Sequence, residues 1–267
     1  GSRGGTGLVL TNASFVNMGL VQAGDSGANA QAGTGIVASN ATIINSGTIS
    51  AGTNDVGTRG VAIEFTENTT NTLELRAGSN VAGLVSARGA DMLVLGGEAD
   101  ATFDAGRIGG ALNPAGQFQQ FESFKKTGAS TWTLTGTTPE LTPWELDEGV
   151  LSVSSDGSLG AAGGTLTFNG GTLRVTGTEM AYTPRNLVWG EKGGSIDIAA
   201  AGHTFMLAQQ LTGGGSLTKL GAGTLALTGA GQHTGGTTIA SGTLQIGAGG
   251  ASGSLSGDVV NNGTLAF

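Results

Sequence analysis

Residues 215–247, GSLTKLGAGTLALTGAGQHTGGTTIASGTLQIG, decide how this chain folds. Short alternating runs are punctuated by glycine: Leu217 to Lys219, Thr224 to Thr228, Thr237 to Ile239 and Thr243 to Ile246. Side chains alternate across a strand, so Leu225 and Leu227 share one face, as do Leu244 and Ile246. Each strand is too short to bury a core alone, so the segment must stack on copies of itself. A copy lies upstream. Phe124, Lys126, Gly128, Thr131 to Gly136, Leu146 and Gly149 to Val153 fall opposite Leu217, Lys219, Gly221, Thr224 to Gly229, Ile239 and Gly242 to Ile246, without a gap. A shared register of that length is a structural repeat.

A second repeat occupies residues 6–52. Asn12 to Gly24 aligns with Asn40 to Gly52, and Thr6 to Val9 aligns with Thr34 to Val37 at the same offset. Its core is Asn-x-Gly between two apolar runs (Asn17 to Gly19, Asn45 to Gly47), read here as a turn in which Asn and Gly supply positive φ. Repetition every 20–30 residues or so, with turn chemistry at fixed offsets, predicts an all-β chain folded as a parallel β-solenoid. The motif returns at Asn261 to Gly263. Inward positions are expected to include Val16, Ile44, Leu134, Leu151, Leu166, Leu173, Leu225, Leu227, Leu244 and Ile246. The phenylalanines Phe103, Phe118, Phe121 and Phe124 are expected in the core, because aromatics usually bury.

Composition agrees. The chain has 267 residues, 52 of them glycine, and only 11% are charged, against a usual share of roughly 25%. At 38% hydrophobic residues it carries too much apolar alternation for a disordered linker. The four prolines and the absence of a sustained 3.6-residue period leave little room for helix. Net charge is −8 and the 11 Lys and Arg are scattered, so a nucleic-acid partner is not expected. Cysteine is absent, which excludes disulfides and thiolate sites. The pattern runs on to Phe267 mid-repeat, which reads as a piece of something longer.

Several motifs are candidates for chemistry. Gly24-Asp25-Ser26-Gly27 matches the surroundings of a serine-protease nucleophile, but no His precedes Ser26, and Gly, Asp and Ser are ordinary turn residues. Gly89-x-Asp91-x-Leu93 has the shape of one calcium-binding repeat, with Glu98, Asp100 and Asp104 nearby; a single copy supplies too few oxygens for a cation that takes 6–8. His203 and His233 have no carboxylate at ligand spacing. Glu145, Asp147 and Glu148 could be a paired-carboxylate site, or a solvated acidic corner. The glycine-rich runs lack Gly-Lys-Ser/Thr, so they are not phosphate loops. The expectation is no catalytic residue, no metal and no cofactor.

Gly89 to Gly97, Phe118 to Gly128, Thr131 to Gly136, Leu151 to Asp156, Phe168 to Leu173 and the opening stretch together resemble bacterial autotransporter passenger domains and their passenger-associated transport repeat. His233 departs from the repeat, which usually carries Tyr there, and this is read as a changed turn residue. The resemblance implies a right-handed parallel β-helix, displayed on a Gram-negative cell surface by a C-terminal β-barrel that these residues do not include. The resemblance does not choose a ligand, since such passengers include adhesins, aggregation factors, toxins and proteases. With no active site visible in the sequence, the leading expectation is a non-enzymatic adhesin for host-cell or extracellular-matrix molecules; the alternatives are self-association between bacteria, or a secreted effector or toxin. Three regions are expected within one solenoid. Residues 1–85 carry the Asn-x-Gly repeats, 86–211 carry irregular inserts and a degenerate transport repeat, and 212–267 form the tightest scaffold. The irregular stretches 104–120 and 137–148 are the places to look for a partner-binding surface.

Overall fold

Strand stacks on strand in parallel, each partner lying one pass of the chain further on. The computed structural model describes residues 1–28, 30–248 and 252–267. Two compact units are distinguished, residues 1–101 with 106–124 and residues 102–105 with 125–267. Among the described residues there is no α-helix, only 3-10 turns at Ala105–Arg107 and Asp156–Leu159.

In the first unit, Leu8–Thr11, Ile36–Ser39, Val61–Phe65 and Leu84–Ser86 form one sheet. Ser14–Asn17, Thr42–Asn45, Thr72–Leu75 and Met92–Leu95 form a second, and Leu20–Gln22, Thr48–Ser50 and Asn80–Ala82 a third. The register reproduces the sequence repeat: Leu8 pairs with Ile36, Phe15 with Ile43 and Val21 with Ile49. Ile36, Ile43, Ile49, Ile63, Leu73, Val85 and Leu93 are fully buried, each contributing about 1.5–3 kcal/mol relative to exposure. One antiparallel bridge, Thr53 to Arg59, closes a short excursion.

In the second unit, Thr131–Thr135, Val150–Val153, Thr172–Val175, Gly194–Ile198, Leu217–Leu220, Thr237–Ile239 and Val259–Asn261 stack in one parallel sheet. Trp144–Leu146, Leu166–Phe168 and Leu187–Trp189 stack in another, and Thr204–Leu207, Thr224–Leu227, Thr243–Ile246 and Thr264–Ala266 in a third. Leu134, Leu151, Leu166, Leu173, Leu225, Leu227, Leu244 and Ile246 are buried as expected, and so are Phe103, Phe118, Phe121 and Phe124.

Three expectations are corrected. Val16 is 50% exposed and Ile44 only half-buried, while Asn17 and Asn45 are buried. The inward phase is therefore Phe15/Asn17 and Ile43/Asn45. The amides choose this phase because they satisfy one another: Asn17 Nδ2 donates to Asn45 Oδ1 at 2.8 Å and to the Thr48 carbonyl at 3.0 Å, and Asn45 Nδ2 donates to the Gly47 carbonyl at 3.0 Å. Second, Asn-x-Gly does not turn through positive φ. Asn12 and Asn40 hold the left-handed conformation instead, at φ 50° and 48°. The Asn-x-Gly bend is closed by Asn17 Oδ1 accepting the Gly19 N–H, at 3.2 Å, an Asx turn. Gly47 is needed for closeness, since a Cβ there would lie 2.2 Å from the Gly19 carbonyl oxygen. Third, His233 is no turn residue. It ends the strand Gly231–His233, is fully buried, and its Nε2 pairs with Thr237 Oγ1 at 2.9 Å. Burial pushes its pKa down.

Candidate functional site

The two copies of the transport repeat each carry a lysine that faces inward. Lys126 and Lys219 are fully buried. An ammonium has three donors and no acceptor, and three carbonyls meet it. Lys219 Nζ donates to Leu220, Gly221 and Ser241 at 2.6, 2.9 and 3.2 Å. Lys126 Nζ donates to Thr127, Gly128 and Glu148 at 2.6, 2.8 and 3.3 Å. Two carbonyls come from the lysine's own corner and one from the next pass. Gly149 and Gly242 follow that third carbonyl with φ 62° and 64°. The repeat is thus a physical device, a corner pinned to the pass stacked on it. Burial pushes Lys219 down to about 8, with the Asp197 carboxylate pulling the other way.

The sequence candidates for chemistry are dispersed. Ser26 donates to the Ala30 carbonyl at 2.9 Å, and Asp25 Oδ1 accepts the Thr53 N–H and hydroxyl at 2.7 and 2.8 Å. Those bonds hold the Asp25 carboxyl below its usual range. Asp91 is fully buried, its oxygens accepting N–H groups of Asn71, Arg88 and Gly89. Glu98, Asp100 and Asp104 are exposed. His203 is buried, its Nε2 donating to the Met180 carbonyl at 2.7 Å.

The acidic trio is divided. Glu145 and Asp147 share Lys125, at 2.9 and 3.0 Å, while Glu148 Oε2 accepts the Gly128 N–H at 3.2 Å. Burial alone would lower Lys125 and raise Asp147. Their mutual bonds, with Asn169 donating to Asp147, outweigh it and shift each the opposite way. Of the irregular stretches, 137–148 returns to the sheet through buried Trp144, leaving Leu141 60% exposed. In the first unit, residues 106–120 are tied by Asn113 Nδ2 to the Ile108 carbonyl at 2.7 Å and by Gln117 Nε2 to those of Val81 and Gly83, both at 2.7 Å, with Leu112 68% exposed.

Sequence reasoning missed a groove in the second unit. Ser154, Ser155, Asp156, Glu179 to Tyr182 and Pro184 line a half-open cavity of about 330 Å3. Its outer wall is the run between the strands Thr172–Val175 and Leu187–Trp189, which contains no strand yet is pinned at several points. His203 holds the Met180 carbonyl, the Met206 N–H donates to the Ala181 carbonyl at 2.8 Å, and Gln209 Nε2 donates to the Thr183 carbonyl at 2.6 Å. Thr183 Oγ1 donates to Asp156 Oδ1 at 2.7 Å. Arg185, its side chain 1% exposed, donates through Nε to Asp156 Oδ1 at 3.1 Å and through its terminal nitrogens to the Ala161 and Gly160 carbonyls. Tyr182 nevertheless stands 57% exposed. The available signal was a strandless run holding the one Tyr of the chain beside Pro184.

With this geometry in place, the comparisons with known proteins are specific. The passenger-associated transport repeat model matches residues 124–139 and 217–246, the two lysine corners. The chain thus carries two passenger-associated transport repeats, and its likeness is to the surface-displayed passengers of Gram-negative autotransporters. Over 143 residues, 54% of this chain, it is 42% identical to the adhesin BmaC autotransporter of Brucella suis biovar 1 (strain 1330), of which it spans 4%. No solved structure matches.

Proposed function

We propose that this chain is part of an adhesin, a right-handed parallel β-helix that presents a long exposed face to host-cell or matrix molecules and works by binding rather than catalysis. The observation that carries this reading is the 42% identity to a protein named as an adhesin. In-register parallel stacking supports the β-helix, since each pass buries its edge on its neighbour and leaves outward positions free to vary. The engagement of Ser26 in a local turn bond, and of Asp25 with Thr53, 28 residues on, supports a non-enzymatic role. Residues 212–267, with the tighter repeat copy, serve as scaffold; deleting them should lower the display and protease resistance of upstream residues. The test of function is expression of the passenger on a non-adherent strain, scored for attachment to host cells and for clumping. Attachment without clumping is expected. Clumping alone would replace the reading with self-association, and neither would overturn both.

A further inference from the structure

We propose that the groove formed by Ser154 to Asp156 and Glu179 to Pro184 binds a Lys- or Arg-bearing segment of a partner protein. This rests on the reading of the chain as a binding passenger and names the chemistry one part of it recognises. Glu179 and Tyr182 are exposed on one wall of a cavity of about 330 Å3, and no Lys or Arg lines it. Arg185, the cation behind the wall, is buried and spent on Asp156 and backbone carbonyls, which leaves the Glu179 carboxylate as the uncompensated charge of the groove. An exposed aromatic residue and a carboxylate lining one groove can attract an ammonium or guanidinium through the ring quadrupole and the charge. The chain's net charge of −8 steers a basic partner toward it. An anionic ligand meets the wrong sign.

The wall is also built in advance. Its carbonyls at Met180, Ala181 and Thr183 are each held by a neighbouring pass, and the pair between buried Arg185 and half-buried Asp156 fixes its base. A wall whose backbone is already held loses little conformational entropy on binding.

Tyr182 is the sole tyrosine, so the full 267-residue chain labelled with 3-fluorotyrosine gives one fluorine resonance located in the groove. It is titrated with acetyl-Gly-Arg-Gly-amide and acetyl-Gly-Lys-Gly-amide at low and high salt, alongside acetyl-Gly-Glu-Gly-amide and maltotriose. The basic peptides should shift the resonance saturably, more weakly in high salt, and the other two should not. Glu179→Gln, an exposed change checked by native circular dichroism, should raise the half-saturating concentration about fivefold, the scale of one exposed ion pair. No shift with either basic peptide, an equal shift with maltotriose or the acidic peptide, or an unchanged response in Glu179→Gln would overturn the proposal. A null titration with a passenger that still attaches cells removes the groove assignment alone; normal titration without attachment removes the adhesin reading alone.

Discussion

The two units hold their corners by different chemistry. In the first, buried amides do much of the work: Asn17 reaches the side chain of Asn45, 28 residues on, Asn71 accepts the Ala41 backbone N–H across 30 residues, and the Asp91 carboxylate accepts from Asn71 across 20. In the second, buried ammonium groups gather carbonyls from passes 22 residues apart. An amide is donor and acceptor at once, so it can be stacked pass upon pass. An ammonium only donates, and a second one a strand spacing away would cost about 3 kcal/mol in repulsion at an effective dielectric near 20. Asparagine therefore makes a ladder, whereas lysine marks single corners.

The largest expected effect tests what both units share. Leu225→Asp and Ile43→Asp each bury an unpaired charge at a fully enclosed site and should cost more than about 4 kcal/mol. Loss of protease resistance and of β-sheet circular dichroism would report it, and a native, resistant Leu225→Asp chain would refute the inward assignment.

Removing an ammonium comes next. Lys219→Met strands the Leu220 and Ser241 carbonyls and should destabilise by about 2 kcal/mol in denaturant titration. Its pH behaviour is the sharper test. With the folded pKa near 8 against 10.5, the unfolded chain holds more protons between those values, so stability should rise with pH across that window. The rise should vanish in Lys219→Met. A wild-type chain whose stability falls through that range would show the carbonyl cradle outweighing desolvation.

The amide ladder should answer more mildly. Asn45→Leu removes the acceptor of Asn17 and the donor to Gly47, a loss of about 1–2 kcal/mol. A double-mutant cycle with Asn17→Leu should return a coupling of about 1 kcal/mol. Additivity would mean that the two amides do not act as a pair. Smallest of all is Ser26→Ala, which loses one bond to the Ala30 carbonyl and should shift stability by less than about 1 kcal/mol. Abolition of an activity with native circular dichroism would restore Ser26 as a nucleophile.

The sequence by itself determined the all-β class, the parallel stacking and much of the register, because short strands with aliphatic alternation bury nothing except against their own copies. It also led to the transport repeat, whose two copies coincide with Lys126 and Lys219. It could not say that these lysines point inward, since a charged residue in an alternating strand defaults to solvent and only converging carbonyls from another pass make burial tolerable. The phase of Ser14–Asn17 was misjudged for the same reason: Val16 is the better hydrophobe, yet Asn17 turns inward because Asn45 and Thr48 are there to meet it. The groove left only the strandless run around Tyr182 as a signal, because Asp156 and Arg185 lie far apart in sequence and acquire meaning only when folded into contact. Local periodicity decides which residues form strands. Tertiary structure decides where polar groups go, because their burial depends on partners that no local pattern specifies.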